Sequence, residues 1–588
     1  MTVELRIGQI RETAHRGDDD LVSAGLGLAG LRAAPAAFAD ADAPTPAELR
    51  RRAIQMAWKG IADLGPLGRF GDAYGSVTTV PGREYQAFAT LPGARSPHRV
   101  LVQVPDNFDA RARCVIVCAS SGSRGIYGSI SVTGAWGLPR GCVVAYTDKG
   151  AGQGYFDCAE GSGVALDGTR ARAGEAELEF AVENVDVDAG IATRHAHSGD
   201  NPEAHWGEHV LQAAQFALAM LDRALPQHAP FTRENTRILA VGLSNGGAAV
   251  LQAAGLDAQG LIDGVVAIEP NINAHATAGT RARPLYDYAS DAALLMPCAL
   301  LAPRFDHLPL TRLPGNTVAS WRYRGETLRN AGLIAAGETR AQSTEALDCL
   351  HADGWTDAAL ASAASTTAFD MWRAFGVTYA SAYLASGPDM PFGFRFHMLD
   401  GEGRPRAAGA AERALWWCDS SGIVPSAGVM IHEPREGMSD DPAWTRLLRL
   451  RGLWTGNDAP AQRLRAAVHA TQAQLPRTEL PIFIVHGAED GLIPPVFSSD
   501  AYVRWLRANA RVVHYWEVPH VQHFDAFLAW PGFGDRYVPI MPFAYAALEQ
   551  MYRHTVAGTP LDPGPTPVTT PRGAGALEVA RLGLPTLM

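Results

Sequence analysis

The sequence predicts an α/β protein built on a mostly parallel, doubly wound sheet, and three observations carry that expectation. Short β-branched runs recur along the chain, with helical stretches between several of them. Most of those runs are almost continuously apolar instead of alternating, the mark of strands covered on both faces. At 588 residues and 47% hydrophobic, the chain has material for a large core divided into two or more lobes.

Residues 1–48 form an N-terminal segment, polar and Ala-rich up to about Pro46. Within it, "LVSAGLGLAGLRAAPAAFADA" imitates the apolar run of a signal peptide. It follows the acidic flank "HRGDDD" where a basic one is needed, and Arg32 interrupts it, so we assign it to the fold. "TPAELRRRAIQMAWKGIADL" then reads as a helix with Thr45 as N-cap, Pro46 at its first position and Glu48 in its first turn. A first core part, 49–273, carries the strand-like runs "HRVLVQVP", "RCVIVCAS", "GCVVAYTD", "RILAVGLS" and "DGVVAIEP". From about Ala274 to Pro476 the alternation breaks into Ala-rich helical patterns with many aromatics, expected to be a mainly helical cap inserted in the sheet. Strand character returns in 477–588 with "LPIFIVHG" and "RVVHYWEVP".

Composition excludes several classes. Lys and Arg are outnumbered by Asp and Glu, 50 to 61, so no broad attraction to nucleic acid or anionic membranes is expected. No apolar window is long enough to predict a membrane-spanning helix. The seven cysteines are spread without a CxxC pair, which argues against a zinc site or a disulfide framework. Free thiols and the lack of a readable signal peptide favour a reducing, cytoplasmic compartment, and quaternary state leaves no trace. "TDKGAGQG" lacks the GxGxxG spacing of a dinucleotide loop and is expected to line a cleft. His195, His197 and His205 lack the helical HExxH pattern, so neither metal nor other cofactor is expected. Arg124 and Lys149 could meet an acid group on a substrate, although such residues are more often solvated or ion paired.

The chemistry concentrates at Ser244. Gly242-Leu243-Ser244-Asn245-Gly246 is a GxSxG pattern between the strand "RILAV" and the helix "GAAVLQAAG", the setting of a nucleophile elbow and of an α/β-hydrolase fold. Serine is a weak nucleophile at neutral pH and needs a histidine base and an orienting carboxylate, which follow in chain order. Asp490 in "IFIVHGAEDGLIPP" is the candidate acid, with Glu489 its neighbouring rival. His523 in "VPHVQHFDAF" is the candidate base, with His520 as alternative and His514 read as structural within its strand. Oxyanion donors are expected from the backbone N–H of Asn245 and from Ser121 or Gly122 in the loop "CVIVCASSGSRGIYG".

With those residues in place, the chain resembles the 3-hydroxybutyrate oligomer hydrolase family. "DDLVSAGLGLAGL", "SSGSRGIYG", "GCVVAYTDKGAG", "GLSNGGAAVLQAA", "GLIDGVVAIEPN", "RPLYDY", "VQHFDAF" and "TTPRG" carry the resemblance over nearly the whole chain. It implies a cofactor-free serine esterase that cuts short 3-hydroxybutyrate oligomers to monomer in polyhydroxybutyrate degradation, with Ser244 as the family's charge-relay serine. The family includes secreted members. Rival readings are a tannase or feruloyl esterase, a serine peptidase and, from another class, an inactive hydrolase-fold binding module. The first is disfavoured because Leu243 and Phe524, not cysteines, flank the nucleophile and base.

Overall fold

The computed structural model describes residues 4–183, 190–310, 318–420, 425–433, 440–530 and 532–584. Its centre is a nine-stranded sheet: β1 (Arg11–His15), β2 (Gly82–Ala89), β3 (His98–Pro105), β4 (Cys114–Ala119), β5 (Val143–Thr147), β6 (Arg237–Leu243), β7 (Gly264–Ile268), β8 (Ile482–Gly487) and β9 (Val513–Val518). The strands lie in the order β1-β2-β3-β5-β4-β6-β7-β8-β9. From β5 to β9 every pairing is parallel, whereas β1, β2 and β3 form an antiparallel edge. This is the α/β-hydrolase arrangement, preceded by one extra edge strand.

The apolar runs are buried because both faces are covered. Successive side chains of a strand point to opposite faces. Val115, Val117, Ile238 and Ala240 accordingly pack on one side, under the helices Pro202–Ala224, Asn245–Leu256 and Ser499–Ala508. Ile116, Cys118, Leu239 and Val241 pack on the other, against Pro46–Ile61 and Met541–Ala557. The helix Pro46–Ile61 starts as its sequence predicts: the Glu48 N–H donates to the Thr45 hydroxyl at 3.3 Å and the Thr45 N–H to the Glu48 carboxylate at 2.9 Å.

The polar strands β1 and β2 escape the sequence reading for a physical reason. In β2, Glu84 and Gln86 are buried. The Glu84 carboxylate accepts from Arg50 at 2.7 and 3.0 Å, from Gln103 at 2.8 Å and from Tyr127 at 2.9 Å. A fully paired buried carboxylate makes an interior strand that hydrophobicity does not reveal. Two small sheets also go unread, one within 156–192 and one within 395–432, because their strands run only two to five residues.

Between β7 and β8 the described residues are mainly helical, with Leu285–Ala299, Asp357–Ala368, Met371–Tyr383 and Trp444–Thr455 among the helices. Their apolar sides share one core in which Tyr288, Trp355, Trp372 and Phe497 meet ring to ring. Leu492, Ile493 and Phe524, from loops after β8 and β9, join the same core and tie it to the top of the sheet. No helix among the described residues is long and apolar enough to cross a membrane. All seven cysteines are free thiols, six of them buried.

Candidate active site

The site starts at the join of β6 and the helix Asn245–Leu256. Ser244 sits between them at φ 61°, ψ −127°, backbone angles that cost a non-glycine residue on the order of 1–3 kcal/mol unless the surroundings enforce them. They are enforced here: the Ser244 N–H donates to Ile268 O at 2.8 Å, and Asn271 N–H donates to Ser244 O at 3.1 Å. The flanking glycines leave no room for a side chain. A Cβ on Gly242 would lie 2.1 Å from Gly246 O, and one on Gly246 would lie 2.5 Å from Ala119 O. Because both obstacles are backbone, Gly246→Ala is expected to cost about 2–4 kcal/mol, measured as a lowered midpoint of thermal unfolding. An unchanged midpoint would contradict the tightness of this turn.

The elbow brings Ser244 beside His523. His523 Nε2 lies 2.9 Å from Ser244 Oγ, and His523 Nδ1 lies 2.6 Å from Asp490 Oδ2. Asp490 is anchored in turn, its Oδ1 accepting from the backbone N–H groups of Leu492 and Ile493, each at 2.8 Å. His486 Nε2, 2.8 Å from Ile493 O, stands 3.2 Å from Asp490 Oδ2. Burial pushes the Asp490 carboxyl up, but the His523 charge and the hydrogen bonds from His486 and His523 override it and hold the group below the usual carboxylate range. Asp490 therefore stays ionised, which favours the tautomer carrying hydrogen on Nδ1 and frees Nε2 to accept the serine proton.

The rival residues lie elsewhere. Glu489 faces His520 and Arg536. His520 Nδ1 is 3.0 Å from the Thr569 hydroxyl, and His514 lies within β9 against Phe483. Two site residues were missed in the sequence. One is His486, which steadies Asp490. The other is Glu269, whose Oε2 lies 3.5 Å from His523 Nδ1. Its position directly after β7 was the available signal, since functional groups in open α/β sheets gather at the carboxyl ends of strands. Glu269, Asp490 and His523 are the group among the described residues whose atoms, within 4.8 Å of one another, could reach a metal ion. The His523 nitrogen on that side is already engaged by Asp490.

Ser121, Gly122 and Asn245 line the same small cavity as Ser244. Asn245 opens its helix, so its N–H belongs to the first turn, where backbone donors have no intrahelical partner. Apart from Ser123 and Arg124, the remaining wall is apolar, with Leu285, Met371 and Phe375 from the inserted helices and Leu492, Ile493 and Phe524 from the core loops. The free space is about 20 Å³, room for one water molecule.

The "TDKGAGQG" loop does not line this cavity, contrary to expectation. It is buried because its charges are paired: Asp148 accepts from Arg194 at 2.9 Å, and Lys149 bonds to Glu203 and donates to the Tyr379 hydroxyl at 2.8 Å. Arg124 does reach the cavity, but its guanidinium donates to Ser420 O at 2.9 Å and to Gly60 O at 3.0 Å. Among the other histidines, His195 bonds Glu203 at 2.7 Å, His205 bonds Glu208 at 2.6 Å, and His197 accepts from the Thr193 N–H at 2.9 Å.

Known proteins resemble this chain over nearly its whole length. Residues 4–587 match the family model for 3HB-oligomer hydrolase. The chain is 36% identical to the D-(-)-3-hydroxybutyrate oligomer hydrolase of Paracidovorax citrulli, over 96% of this chain and 89% of that one. The hydrolases of the same name from Cupriavidus metallidurans and Burkholderia thailandensis are also 36% identical, over 94% and 98% of this chain and 84% and 91% of theirs. Among solved structures, feruloyl esterase B from Aspergillus oryzae aligns with 95% of this chain and 88% of its own at 12% identity and a TM-score of 0.32, too loose a likeness to carry an argument. On the family match and these relatives, the chain belongs to the 3HB-oligomer hydrolase family.

Proposed function

We propose that this protein is a serine esterase that cleaves short 3-hydroxybutyrate oligomers to monomers, in the degradation of polyhydroxybutyrate. The observation that carries the chemistry is the unbroken chain Asp490–His523–Ser244, with spacings of 2.6 and 2.9 Å, opening on a small, largely apolar cavity. The substrate class follows from the activity for which the relatives are named.

Ser244 Oγ attacks the ester carbonyl carbon while its proton passes to His523 Nε2. The carbonyl oxygen becomes an oxyanion, held by the N–H of Asn245 and an N–H of the Ser121–Gly122 turn. The tetrahedral intermediate collapses, the proton on Nε2 goes to the departing hydroxyl of the next unit, and an acyl ester remains on Ser244. Water, deprotonated by the same nitrogen, attacks that ester, and collapse releases the acid as the proton on Nε2 returns to Ser244 Oγ. These steps call on neither a metal nor another cofactor.

We read residues 274–476 as a cap over the site. The substrate is a run of small, methyl-branched esters, which suits apolar walls with few polar groups. With room for one water, the cavity takes such a chain once the side chains of Leu285, Met371 and Phe375 that wall it shift.

The test is chromatographic product analysis with the trimer of (R)-3-hydroxybutyrate, p-nitrophenyl butyrate and a short peptide series. Monomer release from the trimer, with the peptides untouched, is expected. Cleavage of the generic ester alone would keep the serine chemistry and overturn the substrate. Preferential peptide cleavage would point to a peptidase instead.

A further inference from the structure

The acid side of His523 holds more carboxyl than a charge-relay unit needs. Glu269 follows the last residue of β7 at φ +46°, and its N–H donates to Val485 O at 2.8 Å on the neighbouring strand. The side chain is fully buried. Neither carboxyl oxygen has a partner at hydrogen-bond geometry, while Oε2 stands 3.5 Å from the nitrogen that Asp490 holds at 2.6 Å.

A buried carboxyl without a partner is costly, and a left-handed backbone angle adds strain on a residue other than glycine. Two such costs at the catalytic histidine call for a role. The groups facing Glu269 are His523, Asp490 and Asp525, with His486 beyond Asp490. Burial, then the charges of Asp490 and Asp525, push the Glu269 carboxyl well above its ordinary range, with the nearby Gly487 backbone acting in the opposite sense. Two carboxylates beside one imidazole do not both ionise readily. Asp490 holds the charge and Glu269 keeps its proton.

We propose that Glu269 is a second positioning residue for His523, a carboxyl on the Nδ1 side that helps fix the ring and stands in for Asp490 when that residue is lost. The inference rests on the Ser244–His523–Asp490 reading. Removing Asp490 removes the larger of the two carboxylate charges that add to burial in keeping Glu269 protonated. Glu269 then releases its proton to solvent, and Oε2 closes the gap to accept the Nδ1 hydrogen of His523. The imidazole keeps the same tautomer, and Nε2 remains free to take the serine proton.

The experiment compares wild type, Glu269→Gln, Asp490→Ala and the double variant on p-nitrophenyl butyrate across pH, with Ser244→Ala as reference. Glu269→Gln is expected to lower kcat about three- to tenfold at unchanged KM. Asp490→Ala is expected to lose about 10–100-fold, and the double variant about 10⁴-fold, the full cost of an absent orienting acid. Asp490→Ala alone should also gain an acidic limb set by Glu269, which the double variant lacks. If Asp490→Ala does not fold, Asp490→Asn keeps an acceptor for the Leu492 and Ile493 N–H groups, and adding Glu269→Gln to it should cost a further tenfold or more. Equal losses in the Asp490 variants with and without Glu269→Gln would overturn the proposal, and so would a Glu269→Gln loss as large as that of Asp490→Ala. Activity surviving in Ser244→Ala would instead overturn the reading on which it rests.

Discussion

Ser244→Ala is expected to lower kcat on the (R)-3-hydroxybutyrate trimer by about 10⁴–10⁶-fold, roughly 5–8 kcal/mol of transition-state stabilisation. On the proposed reading the serine, the histidine and the carboxylate act as one unit, which makes the loss this large. Without Oγ, His523 has nothing to deprotonate for attack, whatever remains of the oxyanion donors. The fold should not suffer. Alanine retains the Cβ that already fits at φ 61°, and the two backbone bonds that fix residue 244 do not involve its hydroxyl. Kinetics paired with thermal unfolding separate these effects: a fall in kcat at an unchanged unfolding midpoint is the expected result. A loss below about tenfold would assign the chemistry to another group.

The second large effect lies in stability, far from Ser244. Glu84 and Arg50 form a buried pair, joined by Gln103 and Tyr127. Glu84→Ala leaves the Arg50 charge without its main partner, and breaking such a pair by removing one side costs about 3–5 kcal/mol. Substituting both members with apolar residues should recover much of that loss, because no charge is then stranded. The pH dependence follows from the same pair. Burial pushes the Glu84 carboxyl up, but Arg50, then His15, and the hydrogen bonds from Arg50 and Gln103 bring it down from 4.5 to about 2. A carboxyl depressed in the folded state contributes stability above its unfolded value, here about 3 kcal/mol. That contribution is fully present above pH 4.5 and is lost as pH falls toward 2. Acid unfolding of Glu84→Gln should therefore show a shallower pH dependence than wild type over this window. Parallel profiles would contradict the assignment.

The pair also shows where the sequence stops being legible. β3 to β9 could be read because burial on both faces writes itself as runs such as Cys114–Ala119 and Ile482–Gly487. The elbow could be read because its glycines, two residues to either side of the strained serine, are forced by backbone contacts. Asp490 and His523 could be read because each sits at a fixed distance beyond a recognisable strand end. β2 could not, since its burial depends on Arg50, 34 residues away in the chain. Glu269 is in view at the end of "DGVVAIEP", but its nearness to His523 exists only once β7, β8 and β9 lie side by side. Lys149 was judged by its loop, yet its partners Glu203 and Tyr379 come from distant helices. Local pattern reports how a segment is covered, and pairing between remote segments is what it leaves out.

The central claim, that Ser244 carries the acyl group, is tested most directly by mass spectrometry of the protein after reaction with a serine-reactive fluorophosphonate. The account predicts one adduct, on the peptide containing Ser244, with esterase activity lost in proportion to labelling. An active protein that takes no label, or takes it on another residue while hydrolysis continues, would contradict it.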